Sequence, residues 1–236
     1  MDKKPTVSII VPVVNEKSVI YDTLNHLIPL NADEVIVVDG HSTDGTCEII
    51  KREFPSVRCF ETAYADRALQ MNLGAFEAKS DVFLFVHADM RLPEQAVKLV
   101  RNKIQEGYIG GGFKKQFMAA DFRLKAYSLF LNTFYFGCLH CLVGTNAIFV
   151  TREIFEKMNG FPDITFLEDV VFSECIKKQG KIALIEEPVL VSPRRYLKHG
   201  ILKQMLKNGR ILLGYKFLHE DPEKLRELYK VNSNEP

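Results

Sequence analysis

The chain has 236 residues, 47% of them hydrophobic and 26% charged, with a formal net charge of +1. That balance belongs to an ordinary folded protein with a sizeable core, and it excludes a nucleic-acid binder working by bulk electrostatics. The length suits one α/β domain with additions.

Met1-Asp2-Lys3-Lys4-Pro5 leads into a short strand, not a long apolar run, so no signal peptide is expected. Thr6 to Pro12 reads as that strand, ended by a proline that cannot donate to a ladder. Val13 to Lys17 is a polar turn, and Val19 to Leu27 has the spacing of an amphipathic helix. Glu34 to Asp39 is a second buried strand, ending in an aspartate. Gly40 to Thr46 makes a tight turn, with Ser42, Thr43 or Asp44 as the cap of a helix from Thr46 to Phe54. Pro55 to Phe60 is a short third strand, and Asp66 to Ala78 is helical by the spacing of Leu69, Leu73 and Phe76. That helix delivers the chain to Leu84-Phe85-Val86, which runs straight into His87-Ala88-Asp89. Alternating strands and helices predict a doubly wound, mostly parallel sheet flanked by helices, with ligands outside the carboxyl ends of its strands. An Asp89 placed there suits a divalent cation held against phosphate, although a lone aspartate equally opens the turn before Leu92-Pro93-Glu94.

A helix from Glu94 to Gln105 closes the first half. In Tyr108 to Phe113, three glycines predict a close backbone approach or a bulge. About 26 residues between Lys125 and Arg152 carry no Lys, Arg, Asp or Glu, longer than the ~20 of a spanning helix. Polar and glycine interruptions such as Asn132, Thr133, Gly137 and Gly144 argue for core packing, or for an exposed aromatic helix built on Phe130, Phe134, Tyr135 and Phe136. Cys138 and Cys141 flank His140 without a second ligand pair, and five cysteines lack any framework spacing, so buried reduced thiols and a cytoplasmic protein are expected. Ala147 to Val150 is a strand, and Arg152 to Met158 a helix stopped by Asn159-Gly160. Glu168-Asp169 stand ahead of a helix from Val170 to Gln179, where a cap with favourable dipole placement is the plain structural role. Ile182 to Ile185 and Val189 to Val191 are short strands, and Ser192 to Tyr196 ends the globular core. Leu197 to Lys230 is a basic amphipathic helical region with Lys198, Lys203, Lys207, Arg210 and Lys216.

From Thr6 to Tyr229 the chain resembles glycosyltransferase family 2, and the motifs fall in that family's order. Val7 to Pro12 with Asn15-Glu16 is similar to its opening strand and loop. Val37-Val38-Asp39-Gly40-His41-Ser42-Thr43-Asp44-Gly45-Thr46 is similar to its most specific signature. Arg67 to Ala75 resembles the form found in a bacterial, radical-SAM-associated subgroup. His87-Ala88-Asp89 stands where the family has its metal-binding Asp-x-Asp, Glu168-Asp169 where it has its acceptor-side pair, and Arg194-Arg195-Tyr196 resembles its late arginine-aromatic motif. The departure is His87, which that subgroup shares.

The resemblance implies a GT-A fold and an inverting transfer of sugar from a nucleotide-sugar, a UDP-sugar first, to a hydroxyl acceptor. It implies about residues 1–106 for the donor, 107–195 for the acceptor and 196–232 as a C-terminal helical region of one domain. Asp169 would be the catalytic base. Pro12, Val14, Asn15, Glu16, Asp39, Arg67, Asn72, His87, Ala88, Arg194 and Arg195 would bind the donor nucleotide. Asp89 would hold Mn²⁺ or Mg²⁺, with His87 and His199 as further candidate ligands, and Gly144, Asn146 and Glu168 would face the acceptor. Loops at Gly110 to Phe113 and Gly144 to Asn146 would choose the sugar. A silent nucleotide-sugar binder is the alternative on account of His87. A nucleotidyltransferase is more remote, because Val13 to Glu16 is neither glycine-rich nor basic. The aromatic segment Ala126 to Val150 and the basic helix Leu197 to Leu218 together have the composition of a peripheral membrane surface, set against core packing or a homodimer interface.

Overall fold

The computed structural model describes residues 4–136 and 142–230. The sequence Cys138 to Cys141 lies outside the described residues.

Val7–Val13 forms β1, with every residue buried. Helix α1 (Ile20–Leu27), strand β2 (Glu34–Asp39), helix α2 (Thr46–Glu53) and strand β3 (Arg58–Glu61) follow. Helix α3 (Arg67–Glu77) opens on Asp66, whose carboxylate accepts from the Leu69 N–H, as an N-cap should. Strand β4 (Val82–Phe85), a two-residue β5 (Met90–Arg91) and α4 (Ala96–Gln105) complete the first half. Then come β6 (Gly110–Phe117), α5 (Phe122–Phe130) with a π-helical continuation over Leu131–Phe136, β7 (Phe149–Thr151) and α6 (Arg152–Lys157). Asn159 and Gly160, both left-handed, stop α6. The chain ends with α7 (Glu168–Gln179), β8 (Ile182–Val191), α8 (Arg194–His199), α9 (Ile201–Leu218) and α10 (Pro222–Lys230).

The eight strands make one sheet in the order β3-β2-β1-β4-β7-β6-β8-β5. The first four are parallel, β7 is antiparallel to both β4 and β6, and β6 pairs with β8 in parallel. This is a mixed α/β architecture. Side-chain alternation explains why β1 is apolar throughout. Val7, Ile9, Val11 and Val13 face a core shared with Ile20, Leu24 and Leu27 of α1 and Val97 and Val100 of α4. Ile10 faces the opposite core with Met71 and Ala75 of α3 and Phe172 and Ile176 of α7.

Three expectations change. Pro12 does not end β1; it pairs in register with Val38. Val86 donates to the Ile10 carbonyl, so Pro12, two residues on, turns its missing N–H to the same side, past the last β4 bond. The two short strands expected after α7 are one, β8, because Glu186 to Pro188 bulges out opposite Lys114 where the register shifts between Phe113 and Lys115. The glycines before Phe113 do mark a close approach, but inside a strand. A Cβ on Gly111 would lie 2.1 Å from the Ala183 carbonyl oxygen.

Candidate active site

The parallel strands end on one side of the sheet, and there a cavity of about 690 Å³ opens. Its floor is made by Pro12 near the end of β1, Val14 and Glu16 just after it, and His87, Ala88 and Asp89 after β4; its far wall is Gly144 with Glu168 and Asp169 at the start of α7.

On the β1–β2 side, two turns are sewn together. Asn15 donates its N–H to Ser42 Oγ at 2.8 Å and accepts the Thr43 N–H on Oδ1 at 2.9 Å. Glu16 N–H donates to Thr46 Oγ1 at 3.0 Å, and Lys17 N–H to Asp44 Oδ2 at 2.9 Å. Asp39 is 1% exposed; its Oδ1 accepts from Ser42 N–H at 2.7 Å, while Oδ2 is buried without a hydrogen bond. The Cys47 thiol lies beside this carboxylate, and Asp39 itself is not part of the cavity lining. Gln70 braces the same corner through Val13 and Val38 carbonyls.

At the β4 end, the Asp89 carboxylate lies 3.8 Å from the Arg194 guanidinium. Burial raises the Glu16 carboxyl above its ordinary value; Arg194 opposes that, while Asp89 and Asp44 reinforce it. Burial and the charges of Arg67 and Arg195 push His87 down to about 3, so its imidazole is neutral. Its Nε2 faces Gly144, where a Cβ would come within 2.4 Å of that nitrogen and 3.2 Å of Asp169 Oδ2.

The far wall is held by main chain. Gly144 N–H donates to Asp169 Oδ2, and Val170 N–H to Oδ1 at 2.7 Å. Arg67, the first residue of α3, reaches Glu168 Oε1 at 2.9 Å. Burial keeps Glu168 above the usual carboxylate range even with Arg67 beside it. Leu167, just before the pair and in the cavity lining, sits in the left-handed region. Such conformations cluster where a site holds its groups in place.

Several expected residues lie elsewhere. Both ends of the Asn72 amide are engaged by the Phe161 backbone, at 3.0 and 2.8 Å, which makes it a brace between α3 and the loop before α7. Asn146 is likewise internal, donating to the Phe113 carbonyl at 2.8 Å. His199 ends α8 with its Nε2 buried and without a hydrogen bond, and it is not part of the cavity lining. Gly110 to Phe113 lie in β6 and do not line the cavity, whereas Gly144 and Thr145 do. Arg195 lines it and packs over the Tyr229 ring at 5.3 Å. Sequence reasoning missed Lys115, Arg226 and Tyr229, all of which line it. Lys115 carried a signal, standing between Phe113 and Phe117 where alternation calls for an apolar residue; the two α10 residues carried none.

A model of glycosyl transferase family 2 matches residues 8–157. The chain belongs to glycosyltransferase family 2. Among solved structures, a mannosyltransferase of Pyrobaculum calidifontis, PcManGT in complex with GDP-Man and Mn²⁺, aligns with 99% of this chain and 72% of its own at TM-score 0.66 and 19% identity. S. aureus TarS 1–349 in complex with UDP aligns with 79% of this chain at TM-score 0.65 and 18% identity. This chain spans 60% of that TarS fragment. TarS in complex with UDP-GlcNAc aligns at TM-score 0.63. These likenesses carry the GT-A fold. A search of curated proteins gives no match.

A divalent cation fits the chemistry at Asp89, an oxygen donor in a polar cavity next to an arginine. Among the described residues no three His, Cys, Asp or Glu side chains group to cage a metal.

Proposed function

We propose that this family 2 enzyme is an inverting, metal-dependent transferase that moves a sugar from a UDP-sugar to a hydroxyl acceptor. The observation that carries the reading is that one cavity takes in both Asp89 and Asp169. The complexes of similar structures with UDP, UDP-GlcNAc, and GDP-Man with Mn²⁺ support the donor class and the cation.

Asp39, buried behind the cavity lining, is the acceptor we assign to a base N–H, and Pro12, Val13, Val14 and Glu16 would wall the base and ribose. Asp89 would hold the cation, with His87 as a neutral neighbour whose Nε2 is turned to Gly144. When bound, that ion neutralises charge building on the leaving diphosphate. Arg194 and Arg195 offer planar donors to the same oxygens. Across the cavity, Asp169 takes the proton of the acceptor hydroxyl. Its two oxygens are already oriented by Gly144 and Val170 N–H groups, each with a lone pair to spare. Arg67 and Glu168 hold the donor and acceptor walls together.

The acceptor we place on a lipid or lipid-linked molecule, with the protein peripheral on a cytoplasmic membrane face. Phe122, Leu129, Phe130 and Phe134 are exposed along α5 and its continuation, and Leu202, Leu206, Leu213 and Phe217 along α9. The surface is more apolar and less basic than the sequence suggested. Lys207, Arg210 and Lys216 are engaged by the Tyr229 carbonyl, Glu220 and Glu174, and Lys198, Lys203 and Arg210 are the exposed ones of these five. Among the described residues no helix is long and apolar enough to cross a membrane. Co-sedimentation with anionic vesicles at low salt is expected; a dimer that ignores vesicles would assign the face to self-association.

Turnover decides the main reading. UDP release from a panel of UDP-sugars, with Mn²⁺ and membrane-extracted acceptors, should exceed the rate in EDTA. Nucleotide-sugar binding with no turnover on any acceptor would favour the silent binder.

A further inference from the structure

Lysine is rarely buried, yet Lys115 is 6% exposed. It stands in β6 between Phe113 and Phe117, and alternation puts all three on one face. Phe113 and Phe117 belong to the main core. Opposite this point it is β8 that bulges, over Glu186 to Pro188, as strands beside sites often do. The Asn132 side chain then fixes the Lys115 backbone, accepting its N–H at 3.0 Å and donating to its carbonyl at 2.9 Å. The ammonium nitrogen lies 3.1 Å from Thr145 Oγ1 and 3.5 Å from Asn146 Oδ1. Thr145 directly follows Gly144, whose N–H holds Asp169. One short turn therefore positions both the carboxylate of Asp169 and the ammonium of Lys115. The cavity wall on this side carries Phe117, Tyr127, Leu131, Ile211 and Leu212, with Tyr196 and Asn208 beside them.

We propose that Lys115 receives an anionic group of the acceptor, phosphoryl or carboxylate, and that the rest of this acceptor is apolar where it meets Phe117, Tyr127 and Leu131. The inference rests on the transferase reading and names its acceptor class. An ammonium is a compact point charge that binds oxyanions without demanding a planar partner. Charge-assisted bonds of that kind are the strong ones. With its anionic group on Lys115, such an acceptor has its hydroxyl on the side of the turn where Asp169 is held. The apolar wall takes the remainder of the molecule.

Calorimetry with n-octyl phosphate, octanoate, 1-octanol and inorganic phosphate, below any micelle formation, tests it on the full chain. Wild type should bind octyl phosphate or octanoate about tenfold more tightly than octanol. The octyl anion should also bind more tightly than inorganic phosphate, since the chain meets the apolar wall. Lys115→Gln keeps a polar end for Thr145 and Asn146 but removes the charge, and should erase the preference. If that variant does not fold, Thr145→Asp sets a carboxylate beside the ammonium at an exposed position and should erase it equally. Equal binding of octyl anion and octanol by wild type overturns the proposal. So does a preference that survives in either folded variant, and octyl phosphate binding no better than inorganic phosphate overturns the apolar part. UDP is titrated with Mn²⁺ into the same samples. UDP binding with no anion preference sinks this inference alone, whereas no UDP binding sinks the transferase reading on which it rests.

Discussion

The two halves of the sheet place their chemistry in different ways. In β3-β2-β1-β4, every strand is parallel and Asp39 ends β2 while Asp89 follows β4. A strand end fixes such a residue, and the strand itself is a run of Val, Ile and Phe visible in the sequence. In β7-β6-β8-β5, parallel and antiparallel pairings are mixed, a bulge interrupts the main pairing, and the site residues at the far wall come from a turn and a helix start. There the position of Asp169 depends on Gly144, 25 residues away, and that of Lys115 on Thr145, 30 residues away. The first half sets its aspartates at or just past strand ends, whereas the second sets Asp169 and Lys115 through contacts with one distant turn.

The largest expected effect is in the second half. Asp169→Asn keeps the shape and can still meet the Gly144 N–H through its oxygen, but it cannot take a proton. Turnover should fall about 10²–10⁴-fold with UDP affinity unchanged, read by steady-state kinetics and calorimetry. Loss of UDP affinity would place Asp169 on the donor side and erase the distinction between halves.

Gly144→Ala sharpens the same contrast. Its Cβ would press on His87 Nε2 and Asp169 Oδ2. A displaced base should cost roughly tenfold to a hundredfold in turnover, with the melting temperature little changed. A variant with wild-type rate would mean that the turn does not position the base.

Gly111→Ala tests whether the bulged pairing is as tight as it looks. The added carbon meets backbone, the Ala183 carbonyl, which cannot rotate away. A loss of about 1–3 kcal/mol is expected in urea unfolding.

The smallest effect is in the parallel half, at Glu34. Burial would raise its carboxyl, but the Lys79 N–H, the Ser8 hydroxyl and Arg58 outweigh it and hold the group below its ordinary value. A carboxylate depressed in the folded state stabilises at neutral pH, and that contribution is lost as pH falls below about 4 through the folded value. Glu34→Gln should cost about 1–2 kcal/mol at neutral pH and flatten that acid dependence, read by thermal melts across pH.

The contrast also explains what the sequence disclosed. His87 and Asp89 could be placed at the cavity because an apolar run leads straight into them, and Glu168-Asp169 through family resemblance. Asn72 was misplaced because its amide is used by Phe161, 89 residues on, a pairing that no local pattern announces. Glu186 to Pro188 looked like a break between strands because a bulge and a turn have the same residues. Tyr229 reaches the cavity only because α10 folds back over Phe166 and Arg195. Lys115 could have been found by asking why a lysine interrupts an inward-facing pair of phenylalanines.

The central claim is that a cation at Asp89 joins this chain to a nucleoside diphosphate. Titration of UDP into wild type with Mn²⁺, again with EDTA, and into Asp89→Asn tests it directly. Binding should weaken strongly on chelation, and Asp89→Asn should bind as weakly with Mn²⁺ as wild type does without it. Equal UDP affinity with Mn²⁺ and with EDTA in wild type would contradict the account.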